Sequence, residues 1–394
     1  MNTAPRDLGA SPGALLALED GRVFSGEALG AVGTVTGEVC FNTSMTGYQE
    51  VLTDPSYHGQ IVALTAPHVG NTGVNGEDDQ ASRPWAAGLI VREASATYSS
   101  WRATGSLCSY LKSHHVVAAT EIDTRALTRH VRSRGALKGA LSSTVTDASD
   151  LVDIARSQPS YEGRGLVAEV STPAPYVCAP VAVDSGPSVD PAAPARRVAA
   201  LDLGIKANML DLLTRRGWEV TVLPASTTAP EILAGGYDGV LLSNGPGDPE
   251  PLGSVIATAS ELVGRVPVFG ICLGHQILSL ALGGTTYKLP FGHRGSNHPV
   301  RRSEDGRVEI TCQNHGFAVT PGSLEGSGAK VTHVNLNDST IEGIAVDGVC
   351  FSVQYHPESG PGPRDARYLF ERFSELMTGF EAGAAPLPEP ARSA

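Results

Sequence analysis

From Val198 onward, short apolar runs alternate with helix-period segments, and this alternation leaves few folds open to the chain. Val198-Ala199-Ala200-Leu201-Asp202 has the character of a buried strand that ends at Gly204. Residues 206–216, KANMLDLLTRR, carry apolar side chains at helical spacing in Met209, Leu210, Leu212 and Leu213. Gly217 closes that helix, and WEVTVLP follows as a strand. Residues 239–243 and 266–269 repeat the strand signal, and 276–282 predict a helix after the second of them. Strand and helix alternating this closely specify an α/β domain, a mostly parallel open sheet with helices on both faces. Residues 308–312, 330–334, 341–346 and 349–355 are strand-like with no helix between them, which predicts an antiparallel extension. Residues 364–377 predict a closing amphipathic helix.

Between residues 172 and 197 the composition changes. Pro173, Pro175, Pro180, Pro187, Pro191 and Pro194 stand among Ala, Ser, Val and Asp. Such a stretch cannot form a helix and has little to bury, so it is read as a linker. The expected organisation is therefore an N-terminal domain over 1–172, a linker over 173–196 and a second domain over 197–394. No internal repeat relates the halves. In the first half, 35–41, 61–65 and 88–92 predict strands, and 124–134 a helix ending at Gly135. That domain is mixed α and β, with a topology the pattern does not give.

At 394 residues the chain has room for two or three domains. With 41% hydrophobic and 18% charged residues, it can build globular cores. A net charge of −12 opposes binding to nucleic acid or to an anionic membrane surface. No run approaches the ~18 apolar residues of a membrane span. The apolar patch at 14–18 lacks a cationic flank and runs into Glu19-Asp20, so a secretory signal is not expected. Six cysteines lie dispersed at 40, 108, 178, 272, 312 and 350, with no CxxC spacing. This usage fits a cytoplasmic chain with free thiols.

One of the six occupies a special place. GICLGHQ, residues 270–276, sets Cys272 between Gly270 and Gly274, after a strand and before a helix. Chemistry in an open parallel sheet gathers at the carboxyl ends of the strands. The Gly-x-Cys-x-Gly spacing is the nucleophile-elbow pattern with cysteine in the serine position. The glycines avoid clashes with the neighbouring strand and helix. The helix N-terminus is expected to lower the thiol pKa from ~8.5, and the amide of Leu273 to sit where an oxyanion could be held. The alternative is a small buried hydrophobe beside a glycine turn.

A cysteine nucleophile needs a base and the base an orienting group. His275 is too close in sequence to reach around the sulfur easily. His356 ends the run 349–355, and in an extended segment Glu358 would point the same way and fix the imidazole. A surface His-Pro-Glu turn is the competing reading. SNGPGDP, residues 243–249, follows another strand. There Gly245 and Gly247 either serve a turn or offer N–H groups to a ligand. No GxxxxGK[ST] loop and no GxGxxG after a strand is present, which places any nucleotide chemistry on another chain.

Taken together, FGICLGHQ, SNGPGDP, QNHGF at 313–317 and HPE at 356–358 resemble the class I glutamine amidotransferases of the Cys-His-Glu type. FNTSMTGYQEVLTDPSY at 41–57, EIDTRALTRHVRSRGA at 121–136 and LGIKANML at 203–210 resemble the small-subunit family of carbamoyl phosphate synthetases. The resemblance implies that Cys272 attacks the side-chain carboxamide of L-glutamine. His356 then serves as base and acid, and Glu358 orients it. It implies oxyanion contacts from Leu273 and the 245–247 loop. Glutamine contacts are implied from Gln276, Asn314, Gly316, Phe317 and Ser56, the last offered by the N-terminal domain. From the residues alone, Ser56 is an ordinary turn residue. The resemblance implies a large synthetase subunit as partner, holding ATP with a divalent metal such as magnesium. Neither metal nor cofactor is expected on this chain. Two rivals remain: the glutaminase of another synthase, such as anthranilate or GMP synthetase, and a non-catalytic homologue of the same fold. A papain-like protease lacks support, because the motif order differs.

Overall fold

A computed structural model describes residues 13–181 and 196–380. Most of the expected linker, residues 182–195, lies outside them. The chain divides into two compact units at 160/161, upstream of the proline-rich segment. Residues 53–58 and 79–82 belong with the second unit. Among the described residues no helix is long and apolar enough to cross a membrane.

The first unit is a seven-stranded closed barrel. Its strands are β1 (Gly13–Leu18), β2 (Val23–Ala28), β3 (Thr34–Asn42), β4 (Gln60–Leu64), β5 (Gly88–Ile90), β6 (Val117–Thr120) and β7 (Leu137–Ser142), in the order β1-β2-β6-β5-β4-β3-β7. β3, β4, β5 and β6 run parallel to their neighbours in that order, and the other pairings are antiparallel. The helices are α1 (Tyr48–Thr53), α2 (Leu107–Ser113), α3 (Thr124–Arg134) and α4 (Ala148–Ser157). Strand alternation divides the side chains: the small Ala17 and Ala140 meet Leu151, Val152 and Ala155 of α4. Asp147 caps α4 by accepting from the amides of Ser149 and Asp150, and Asp123 caps α3 through Ala126. Gly135, at φ +95°, ends α3 where the sequence predicts.

The second unit is built on a ten-stranded mixed sheet. In chain order it contains α5 (Val167–Val170), β8 (Tyr176–Cys178), β9 (Arg197–Asp202), α6 (Ala207–Thr214), β10 (Glu219–Pro224), α7 (Ala229–Ala234) and β11 (Gly239–Leu242). There follow α8 (Gly253–Leu262), β12 (Val268–Ile271), α9 (Leu273–Ala281), β13 (Thr286–Arg302), β14 (Val308–Val319), β15 (Lys330–Asn335), β16 (Ile341–Val346), β17 (Cys350–Val353) and α10 (Tyr368–Gly379). The order is β14-β13-β15-β16-β17-β12-β11-β9-β10-β8. β17, β12, β11, β9 and β10 are parallel, so residues 349–355, expected in the antiparallel extension, join the parallel centre beside β12, while β14, β15 and β16 form the extension together with β13, which the sequence pattern does not predict. Tyr176–Cys178, expected inside the linker, pairs instead with β10 as an edge strand.

The parallel strands are apolar on both faces, as a doubly covered sheet requires. Val198, Ala200 and Leu241 pack with Met209 and Leu213 of α6 and Phe370 and Phe373 of α10. Their neighbours Ala199, Leu201 and Val240 face the other way, onto Ile232 of α7, Ala259 of α8 and Ile277 of α9. Helices therefore cover both faces, and the carboxyl ends of β9, β11, β12 and β17 gather at one end of the sheet.

Candidate active site

Cys272 stands between the end of β12 and the start of α9 with φ +56° and ψ −104°. This conformation is disfavoured for a residue with a Cβ and is imposed by the turn around it. Its amide donates to Val353 on β17, and its carbonyl accepts from His275 and Gln276 at the head of α9. The glycines are steric necessities. A Cβ on Gly274 would lie 2.1 Å from the Leu242 carbonyl oxygen, and one on Gly270 would lie 2.6 Å from that of Gly274. Gly274→Ala therefore forces α9 away from β11. It is expected to yield little soluble protein, or to lower the urea midpoint well below that of an exposed control such as Gly253→Ala, which has open space around its Cβ position. A variant as stable as wild type would contradict this contact.

The thiol differs from expectation. Burial pushes the Cys272 thiol well above its ordinary value and the charges of Asp54 and Glu358 add to the shift. Lys206 and the Leu273 amide work against them without prevailing. The helix end therefore does not deliver a preformed thiolate, because desolvation exceeds what one dipole and one N–H supply. The sulfur lies 3.5 Å from the Asn314 carbonyl oxygen, a weak contact for an intact S–H. Alkylation of Cys272 in the free chain is expected to be at least about tenfold slower at pH 8 than that of a free cysteine, and to keep rising with pH. A plateau below pH 8 would show that the thiolate is already formed.

β17 lies parallel and adjacent to β12, with Val353 opposite Ile271, so the segment after each strand emerges at the same end of the sheet. His356 lies in the segment after β17, and its amide donates to the Cys312 carbonyl. Its Nδ1 is 2.7 Å from Glu358 Oε1. A turn brings the two together, the Ser359 amide donating to the His356 carbonyl, rather than the extended backbone the sequence suggests. With Nδ1–H donated to the carboxylate, Nε2 is left as the basic nitrogen, buried and without a hydrogen-bond partner. Glu358 is fully buried. Burial raises its carboxyl, but Lys206 and then His356 outweigh that and hold it at about 2.

Lys206 is the main residue that sequence reasoning passes over. It is 2% exposed, its Nζ lies 2.5 Å from Glu358 Oε1, and it also donates to the Ser359 carbonyl. The available signal was its position: a single cation directly after the apolar run that ends β9, at the mouth of α6. Asp54 and Asn244 were also missed. Asn244 Nδ2 donates to Ser56 Oγ at 2.8 Å, and Asn314 Nδ2 donates to Asp54 at 3.0 Å. Ser56 lies in a short 3-10 turn, Pro55–Tyr57, that packs with the second unit although it interrupts the first in sequence.

The other expected contacts are distributed as follows. The Leu273 amide acts to lower the thiol's shift, as an N–H near the sulfur does. Gly245 approaches so closely that an added Cβ would lie 2.0 Å from the Leu203 carbonyl oxygen and 2.8 Å from a Leu273 methyl. The expectation that the whole 245–247 loop offers amides is narrowed. Pro246 has no N–H, and that of Gly247 donates to the Tyr161 hydroxyl, which leaves Gly245. Gln276 donates to the Phe317 carbonyl and to Gln354 Oε1. Asn314, Gly316 and Phe317 lie on β14, and the Asn314 carbonyl is beside the thiol. Cys272 is the candidate nucleophile, His356 with Glu358 the candidate base and its orienting carboxylate, and the Leu273 amide the candidate oxyanion donor, the parts needed to open a carboxamide.

Residues 199–376 match the family model described as glutamine amidotransferase class-I, so the second unit carries a domain of that class. Residues 16–141 match the model described as carbamoyl-phosphate synthase small chain, CPSase domain. The carbamoyl phosphate synthase small chain of Syntrophotalea carbinolica is 55% identical over 92% of this chain and 97% of that one. The protein of the same name from a Synechococcus strain is 52% identical over 92% and 93%. A solved glutamine amidotransferase from Thermotoga maritima aligns with 47% of this chain and 85% of its own, at 19% identity and a TM-score of 0.34. The chain belongs to the carbamoyl phosphate synthase small chain family.

Proposed function

We propose that this chain is the glutaminase subunit of a carbamoyl phosphate synthetase, with Cys272, His356 and Glu358 as its catalytic residues. The observation that carries the assignment is the buried His356–Glu358 pair, its Nε2 left basic, at the same end of adjacent parallel strands as the strained Cys272. His356 Nε2 takes the thiol proton as sulfur adds to the glutamine Cδ. The amides of Leu273 and Gly245 hold the oxyanion, and Glu358 stabilises the imidazolium. The imidazolium then protonates the leaving nitrogen, releasing ammonia and a γ-glutamyl thioester. Water, deprotonated by His356, hydrolyses the thioester to glutamate. Ser56, Gln276, Asn314, Gly316 and Phe317 are the proposed glutamine contacts, and Asn314 is supported by its carbonyl beside the sulfur.

Ammonia free in neutral water is mostly protonated and no longer nucleophilic, so delivery to a partner calls for a shielded route. The partner is a large synthetase subunit. It binds ATP with magnesium and joins the ammonia to bicarbonate, giving carbamoyl phosphate for arginine and pyrimidine synthesis. Six free cysteines support a cytoplasmic setting. The test is ammonia release from glutamine by the purified chain, with and without a carbamoyl phosphate synthetase large subunit and ATP, together with trapping of the thioester. Release that rises with that subunit and ATP supports the reading. Thioester without any response to the subunit would keep the glutaminase and remove the named complex.

A further inference from the structure

The antiparallel extension holds a cluster of buried histidines and carboxylates that glutamine hydrolysis does not use. His293 lies on β13, His315 on β14 and Glu342 on β16, all buried. One ligand atom from each lies within 4.8 Å of the other two. The His293 side chain is 8% exposed, and its Nδ1 is buried without a hydrogen-bond partner, 3.7 Å from Glu342 Oε1. His298, farther along β13, has a second buried ring nitrogen without a partner, Nδ1. Its ring centroid is 5.3 Å from that of His293.

The supporting contacts match those of a metal site. A metal-ligating histidine commonly gives one ring N–H to a carboxylate or backbone carbonyl and turns the other nitrogen to the ion. Asp338 lies 2.7 Å from His293 Nε2, and the Phe317 carbonyl lies 2.8 Å from His315 Nδ1. Glu342 is itself held, accepting from Asn335 at 2.7 Å and from Gln313 at 2.9 Å. In the tautomer that serves Phe317, His315 Nε2 faces Gln313 Oε1 at 2.9 Å, one acceptor against another. A cation at Nε2 would replace that conflict with a bond.

We propose that His293 Nδ1, His315 Nε2 and Glu342 bind a divalent cation of the zinc type, with His298 nearest the fourth position. Two imidazoles and a carboxylate are a zinc donor set, whose ~2.0–2.1 Å bonds set ligand atoms roughly 3.4 Å apart. The His293–Glu342 separation is already near this, and no pair has to close by more than about 1.4 Å on binding. Such an ion ties β13, β14 and β16 together behind Asn314–Phe317, the segment beside the thiol. The rival account needs no ion. Burial opposes charge on His293, but Asp338 and Glu342 lift it to about 9, so a protonated ring could join the two carboxylates.

The full chain, stripped with a chelator and desalted, is titrated with Co²⁺ and then Zn²⁺ near neutral pH, following visible absorption and melting temperature. The expected result is one equivalent of Co²⁺ with a visible d–d band and no sulfur-to-metal charge-transfer band, displaced by Zn²⁺, which raises the melting temperature. His293→Gln is expected to abolish binding. Asp338→Asn, milder because it alters only a supporting contact, is expected to weaken it about 10–100-fold. Absence of stoichiometric binding by the wild-type chain overturns the proposal, as does binding with a thiolate band or binding indifferent to both substitutions.

Discussion

Cys272→Ala is expected to reduce glutamine hydrolysis by about 10⁴-fold or more, because loss of the nucleophile leaves only binding and oxyanion contacts. Substrate affinity should change little, since the proposed glutamine contacts from Ser56, Gln276 and β14 remain. Cys272→Gly should be equally inactive yet more stable than the alanine variant. Both lack the thiol, but alanine keeps a Cβ at φ +56° and ψ −104° whereas glycine does not. Holding such a conformation costs about 1–3 kcal/mol, and the greater freedom of unfolded glycine returns roughly 0.5–1 of it. A glycine variant about 1 kcal/mol more stable than the alanine variant in urea would show that the strain resides at the sulfur-bearing residue. Equal midpoints would show that the elbow relaxes at little cost. Retained turnover in either variant would remove Cys272 from the mechanism.

The parallel centre of the second unit was legible because its signal is local. Apolar runs such as 198–202 are buried on both faces, and the helices between them keep a 3.6-residue period. The first unit hid its topology because a barrel closes through long-range pairings, such as β2 with β6 and β3 with β7, that no local period encodes. β13 was missed for another reason. Pro290, Gly292, Gly295 and Pro299 punctuate it like a loop, and its register with β14 slips twice, between Lys288 and His293 and between Gly295 and His298. Thus QNHGF, met as a motif without a setting, lies within a strand. Gly270, Cys272 and Gly274 were readable because the elbow is contiguous. Asp54 and Asn244 were not, because they become neighbours only when residues 53–58 join the second unit. The thiol's charge state was misjudged because a sequence displays the helix end but not the depth of burial.

Lys206 is where the same limit has the largest energetic consequence. Lys206→Met is expected to destabilise the chain by about 3–5 kcal/mol near neutral pH, because it strands the Glu358 carboxylate in a fully buried site with His356 as its remaining strong partner. The pH dependence follows from the shifts. Glu358 is held at about 2 in the fold against an ordinary 4.5, so its contribution is present above the ordinary value and disappears as pH falls toward 2. Lys206 is shifted upward from 10.5, so its contribution is present below that value and is lost as pH rises through the higher folded one. The gap between wild type and variant should therefore be widest between about pH 5 and 10 and narrow on the acid side. Lys206→Met combined with Glu358→Gln removes both charges and should recover a large part of the lost stability, a coupling expected only of groups in direct contact. Turnover should not recover, because a neutral amide in place of the Glu358 carboxylate no longer stabilises the imidazolium of His356. If the double variant is as unstable as the sum of the single ones, the pair is not coupled, and Lys206 matters through its packing against the head of α6.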